Sequence, residues 1–173
     1  MMPHLDAAYN LARWLTRNDS DAQDVVQDAC VRAFKYFDSF EGENPSAWLL
    51  AIVRNTCFTW MRRNRPKEEI VGTDAIGDET ADNAEPILGG GSRELATDPE
   101  TRLIEGRDRT RVNELVAQLP AEFREVIVLR EIEDLSYREI ADVVGIPIGT
   151  VMSRLARARK LLHDNWHRPR AQE

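Results

Sequence analysis

The chain is poor in the residue types on which enzymes, metalloproteins and secreted domains depend. Of its 173 residues only two are cysteine and three are histidine. Cys30 and Cys57 are far apart, each inside an apolar helical pattern, with no C-x-x-C spacing and no histidine pair beside either. That argues against a disulfide framework or a zinc site and makes buried free thiols the expectation, with a redox-sensing pair as the alternative. His4, His163 and His167 lie near the ends of the sequence, and neither cysteine has a base close by in sequence, so an enzyme has little support and no cofactor is expected. No apolar run approaches a membrane span, and the first residues lack a charged start followed by an apolar signal core; a cytoplasmic protein is the expectation. Alternating strand patterns and internal repeats are also missing, which leaves an all-α chain.

What the chain does have is charge, unevenly spread. The net charge of −7 argues at first against a nucleic-acid partner. Between Lys67 and Glu105, however, eleven acids stand against three bases, a net of −8, so the remainder is close to +1. Within that remainder the bases gather at Arg54–Lys67 and Arg154–Arg170, and clustered charge counts for more in binding than the total. Residues Thr73–Thr97 combine Gly89-Gly90-Gly91, a proline and many acids with no helical apolar period, the composition of a flexible linker. The expected organisation is two small helical domains, residues 1–66 and 99–168, joined by an acidic linker over 67–98.

The most specific local signal is Leu135–Leu162, LSYREIADVVGIPIGTVMSRLARARKLL. Ser136 and Glu139 form an S-x-x-E capping box at the start of a short helix carrying Ile140, Val143 and Val144 at helical spacing. Gly145 can end that helix in the left-handed conformation, and Pro147 suits the first positions of the next. Two helices meeting at a tight turn make a helix-turn-helix. On the second helix Val151, Leu155, Ala158 and Leu162 form the stripe expected to be buried. Thr150, Ser153, Arg157 and Lys160 point the other way, with Arg154 and Arg159 on the flanks. Hydroxyls, guanidinium groups and the small Gly149 on one open face are what a helix needs to enter a major groove. The plainer alternative is a solvated amphipathic surface.

The N-terminal half reads as three helices. The first spans about Leu5–Thr16. The second spans about Asp21–Phe37, with Val25, Val26, Ala29, Cys30, Ala33, Phe34 and Phe37 as its apolar face and Asp24, Gln27, Asp28, Val31 and Lys35 opposite. An acidic end with one exposed valine suits docking on a basic helical partner, or is simply a wet helix surface. The third runs from Pro45 or Ser46 to about Arg63, with Trp48, Leu49, Ile52, Val53, Cys57 and Trp60 toward the core. Ala47, Ala51, Arg54, Asn55, Phe58 and Arg62 lie on its other side. Small residues interleaved with an arginine, an amide and an aromatic are the ingredients of single-strand binding, and Phe40 in the preceding loop is a second aromatic. Taken singly, Phe40 and Phe58 read as core or staple residues ahead of stacking platforms.

Two stretches together resemble the extracytoplasmic-function sigma factors, small promoter-recognition subunits of bacterial RNA polymerase. DAQDVVQDACVRAFKYFDSF (Asp21–Phe40) with AWLLAIVRNTCFTWMRRNR (Ala47–Arg65) is similar to region two. LPAEFREVIVLREIEDLSYREIADVVGIPIGTVMSRLARAR (Leu119–Arg159) is similar to region four. The resemblance implies that Asp24, Gln27 and Asp28, with Val31 on the same face, dock on the clamp coiled coil of the core polymerase. It implies that Phe40, Arg54 and Asn55 grip the unpaired strand of the minus-10 element, with Phe58 beside them and Arg62 and Arg63 on phosphates, and that Trp48 braces the region-two core. It further implies that Arg130, Thr150, Ser153, Arg154 and Arg157, with Lys160 on the same helix face, meet the minus-35 duplex. Met152 and Ala156 depart from common members of the family, so base preferences do not carry over.

The function this implies is promoter-specific initiation with no catalytic chemistry of its own. The implied partners are core polymerase, through its clamp and flap, promoter DNA, and an anti-sigma protein that regulates a stress response. The rival reading is a helix-turn-helix regulator that binds a palindrome as a dimer without polymerase.

Overall fold

The computed structural model describes residues 2–64 and 99–168, with side chains for 4–64 and 106–168. The acidic linker expected over 67–98, with its glycine run, lies outside the described residues. Among those residues every regular element is helical. They are α1 (Met2–Thr16), α2 (Asp19–Tyr36), a 3₁₀ turn (Phe37–Ser39), α3 (Pro45–Asn64), α4 (Pro99–Gln118), α5 (Ala121–Ile127) with a π turn at its end (Val128–Ile132), α6 (Tyr137–Val144) and α7 (Ile148–His167).

Local chemistry sets the boundaries. α1 ends at Arg17, whose φ of 60° turns the chain out of the helix. Asn18 then caps α2, its side-chain oxygen accepting from the Asp21 amide at 3.1 Å. Asn44 does the same for α3 through the Ala47 amide. Ser136 and Glu139 form the full reciprocal capping box at α6. Gly145, at φ 76°, ends α6 in the left-handed region that only glycine enters without strain, and Pro147 caps α7.

α1, α2 and α3 pack pairwise as a three-helix bundle around Leu11, Leu15, Val25, Leu50, Val53 and Cys57. In the C-terminal half α5 and α6 pack on α7, burying Val126–Leu129, Ile140 and Val143 against Val151, Leu155, Ala158 and Leu162. The α7 stripe read from the sequence is therefore buried in full.

The two halves are not separate bodies. α3 packs on α6, and α1 packs on α5 and the π turn, so both apolar cores run into a single cluster. Arg124 of α5, 1% exposed, ties the junction by donating to the carbonyls of Ala117 and Leu119 on its own side and of Leu15 on the other. Buried carbonyls need such donors, and one guanidinium satisfies three of them.

Two expectations from the apolar period are corrected. Phe34 and Phe37, expected in the core, are 86% and 54% exposed; Phe34 falls on the face of Gln27 and Val31, opposite the buried Ala22, Val25 and Ala29. On α3 the buried residues are Ala47, Leu50, Val53, Thr56, Cys57 and Met61, whereas Trp48, Leu49, Ile52 and Trp60 are only half-buried. The inward face is thus rotated from the expected one, and Ala47 changes sides.

Candidate nucleic-acid and polymerase interfaces

On α2 the side chains of Asp24, Gln27, Asp28 and Val31 are all exposed and share one face, as the helical period requires. Asp28 holds Arg32 one turn on at 3.2 Å, an exposed pair of the kind that contributes little to stability. Val31 is not a lone apolar residue. At 64% exposure it is followed one and two turns on by Phe34 and Phe37, also exposed, so three open apolar side chains run at i, i+3 and i+6 to the C-terminal end of α2. Open aromatic area on a small soluble protein marks an interaction surface.

Beyond this patch the chain makes a 3₁₀ turn and a loop. Phe40 stacks on Trp48 with ring centroids 4.8 Å apart, and Phe37 meets the same ring edge-on at 6.5 Å. Trp48 therefore supports the loop as much as the core. Asn55, Arg62 and Arg63 on α3 are exposed.

Arg54 is not free. Its guanidinium lies 4.2 Å over the Phe58 ring and donates through Nε and Nη2 to both carboxylate oxygens of Glu125, at 2.8 and 3.2 Å. Glu125 belongs to α5, and its side chain is fully buried. Arg154 of α7 approaches the same carboxylate at 3.7 Å. Burial pushes the Glu125 carboxyl above its usual range, while the hydrogen bond and charge of Arg54, then the charge of Arg154, pull it back. A buried carboxylate is costly without counter-charge, and here two guanidinium groups share one. The same burial, with Glu125 nearby, pushes the Cys57 thiol up to about 12.

In the helix-turn-helix, Ser153, Arg157 and Lys160 are exposed on α7 and Thr150 half-exposed on the same side. Of the flanking arginines, Arg154 faces Glu125 and Arg159 pairs with Glu131 at 2.8 Å, so Arg159 acts as a strut inside the domain. Arg130, in the π turn, donates to the Leu135 carbonyl at 2.8 Å and lies 5.0 Å over the Tyr137 ring, fixing the entry into α6. Sequence reading gave no hint of an apolar groove of about 350 Å³ between α4, the end of α5 and the end of α7, lined by Val112, Leu115, Ile127, Leu162 and Trp166. Arg111 holds one of the lining residues, its guanidinium over the Trp166 ring and hydrogen-bonded to the Trp166 carbonyl.

A three-helix bundle with an acidic and aromatic face, joined to a helix-turn-helix with a hydroxyl and basic face, defines a two-module DNA-handling protein. Residues 1–67 match the family model of sigma-70 region 2, and residues 109–162 match that of sigma-70 region 4. The chain is 34% identical over 158 residues to the ECF RNA polymerase sigma-E factor of Haemophilus influenzae, covering 89% of this chain and 78% of that one. It is 35% identical over 150 residues to the same factor of Escherichia coli K12, covering 86% and 75%. Among solved structures, the sigma factor RpoE of Bartonella quintana, crystallised with the anti-sigma factor NepR, superposes with a TM-score of 0.65 at 30% identity over 98% of this chain and 95% of that one. CnrH in complex with the cytosolic domain of CnrY gives 0.61 at 26% identity, covering 95% and 83%. The chain belongs to the extracytoplasmic-function branch of the sigma-70 family, and it is an RNA polymerase sigma factor that directs promoter-specific initiation.

Proposed function

We propose the following division of labour. The α2 face, Asp24, Gln27, Asp28 and Val31, docks on the clamp coiled coil of core polymerase, and the apolar groove between α4 and α7 receives the polymerase flap. Phe40, Arg54, Asn55 and Phe58 hold the unpaired strand of the minus-10 element, with Arg62 and Arg63 on phosphates at its edge. Thr150, Ser153, Arg154, Arg157 and Lys160 read the minus-35 duplex, with Arg130 at the entry of the helix-turn-helix. The domains are residues 1–66 and 99–168, the stretch 67–98 linking them. The observation that carries this reading is the open face of α7, where hydroxyl and cationic side chains line up while the opposite stripe is wholly buried.

The chemistry needed is binding alone, so the protein is a non-catalytic factor without a cofactor. Melting a duplex costs roughly 1.4 kcal/mol per stacking step, and strand-trapping contacts worth about 1–3 kcal/mol per base offset it only when several act together. An anti-sigma protein is the proposed regulator, supported by two structural relatives solved with such partners or with a bound protein domain. The site of action is the cytoplasm, where polymerase is; among the described residues no helix is long and apolar enough to cross a membrane.

The test is transcription in vitro from a promoter library, with bacterial core polymerase and with or without this protein. Transcripts that depend on it, from templates sharing two spaced elements, are expected. Tight binding to a palindrome with no association with core would replace this reading with a dimeric regulator.

A further inference from the structure

Met152 is the most exposed large apolar side chain of α7, at 50%. It stands three residues after Gly149 and four before Ala156, so by helical period the three share one strip along the open side of the helix. Gly149 is exposed, with open space around the point where a side chain would begin, and Ala156 is half-buried. The thioether chain is therefore flanked at both ends by small residues that let another molecule come close.

The strip carries no hydrogen-bonding side chain. Ser153, the next residue, donates its hydroxyl to the Thr150 carbonyl at 3.1 Å, within the helix itself. Arg159, two turns on from Met152 along the same flank, is bonded to Glu131 at 2.8 Å and keeps only 12% side-chain exposure. Guanine is most often read by a guanidinium that reaches O6 and N7, and adenine by a side-chain amide; Gly149, Met152 and Ala156 supply neither. What they supply is a flexible, polarizable apolar chain with room beside it. In the major groove the matching apolar feature is the C5 methyl of thymine, which no other base carries. A lone open apolar residue is ordinary on a protein surface. Here it lies on the face whose other members are hydroxyls and cations, and only an apolar group on the DNA can bury it there without leaving a polar base edge unpaired.

Resting on the reading of α7 as the minus-35 helix, we infer that Met152 is a specificity-determining residue that selects an A·T pair in the minus-35 element by packing on the thymine methyl, with Gly149 and Ala156 allowing the approach. The preference is set by shape and burial, and it acts beside the charged contacts of Arg157 and Lys160 without using them. One buried methyl group is worth about fourfold in affinity.

The experiment uses holoenzyme assembled from the full-length chain and bacterial core polymerase, with promoter fragments that support transcription with this protein. In each A·T pair of the minus-35 element thymine is replaced in turn by deoxyuridine, which lacks only the methyl group. Thymine and deoxyuridine fragments then compete for limiting holoenzyme. At one position the replacement is expected to weaken binding by the wild-type holoenzyme about fourfold and to leave binding by Met152→Ala holoenzyme unchanged, so that side chain and methyl group account for the same loss. Met152 lies outside the apolar core, and circular dichroism checks that the variant keeps its helices. A minus-35 element without an A·T pair overturns the inference. So do deoxyuridine fragments that bind as well as thymine fragments at every position, or a methyl effect that persists in Met152→Ala. A scrambled minus-35 element is tested alongside. Binding that ignores scrambling would overturn the reading of α7 and this inference together, whereas binding that needs the element and ignores its methyl groups would overturn the inference alone.

Discussion

α2 and α3 belong to one bundle and treat solvent in opposite ways. The functional face of α2 is fully open, from Asp24 to the aromatic patch at Phe34 and Phe37. The functional face of α3 is partly roofed by α5 and α6, and its central arginine is already paired. A surface proposed for the first partner is presented, and one proposed for the second partner is withheld. The contrast teaches that availability in this molecule is set by packing between modules rather than by residue type, since arginines exposed in sequence logic are half-buried in fact.

The comparison can be broken from the open side first. Asp28→Arg is expected to weaken core binding by about 2–5 kcal/mol, the range for removing one partner of a buried interfacial charge pair. Co-elution with core that survives this change would remove α2 from the polymerase interface. On the covered side, Asn55→Ala is expected to lower open-complex formation by about 1–3 kcal/mol while leaving core affinity unaltered. Permanganate footprinting beside a core-binding titration separates the two effects. Equal losses in both would mean that α3 belongs to the docking surface as well.

The cysteines sharpen the contrast. Cys30 on α2 is half-buried, whereas Cys57 on α3 is fully buried with its thiol pushed up to about 12. At pH 8 iodoacetamide should modify Cys30 well ahead of Cys57, and comparable rates would show that the bundle core around Cys57 opens readily in solution. The linkage has a definite sign. Between about pH 9 and 12 the unfolded chain has lost this proton and the folded chain retains it. Stability should therefore fall as pH rises through that window, by up to about 1.4 kcal/mol per unit. Cys57→Ser should flatten the slope in denaturant titrations. The smallest effect expected is that of Gly145→Ala. The left-handed φ of 76° costs an alanine about 1–2 kcal/mol, and with open space around the site the loss should stay within that range in thermal unfolding.

The helix-turn-helix was legible in the sequence because its determinants are local. Ser136 and Glu139 three apart, Gly145 after the last apolar residue and a four-residue stripe on α7 each act within one or two turns. The inward face of α3 was misread because tryptophans dominate a hydrophobic pattern, yet Trp48 and Trp60 lie at the bundle's margin while Leu50, Thr56 and Met61 fill it. On α2 the buried stripe is Ala22, Val25 and Ala29, and Phe34, grouped with it by hydrophobicity, belongs by helical period to the open face of Gln27 and Val31. The Arg54–Glu125 pair was illegible for another reason. It joins residues 71 apart through an ion pair, and no spacing rule operates over that distance. Helical period put Arg54 on α3, and the family resemblance, which makes it a strand-binding residue, gave no warning that region four already holds it.

The long sequence separation of the junction also orders events in time. Leu15 and Arg124 are 109 residues apart, and Arg54 waits 71 residues for Glu125. A ribosome adding roughly 5–20 residues per second takes about 4–14 s to cover the shorter of these gaps. The first bundle, whose helices contact near neighbours, folds far faster than that. Each newly made molecule therefore passes through an interval of several seconds in which α3 is uncovered and the aromatic patch of α2 is displayed. Whether a partner meets the chain during its synthesis or after it determines which of the two faces that partner finds open.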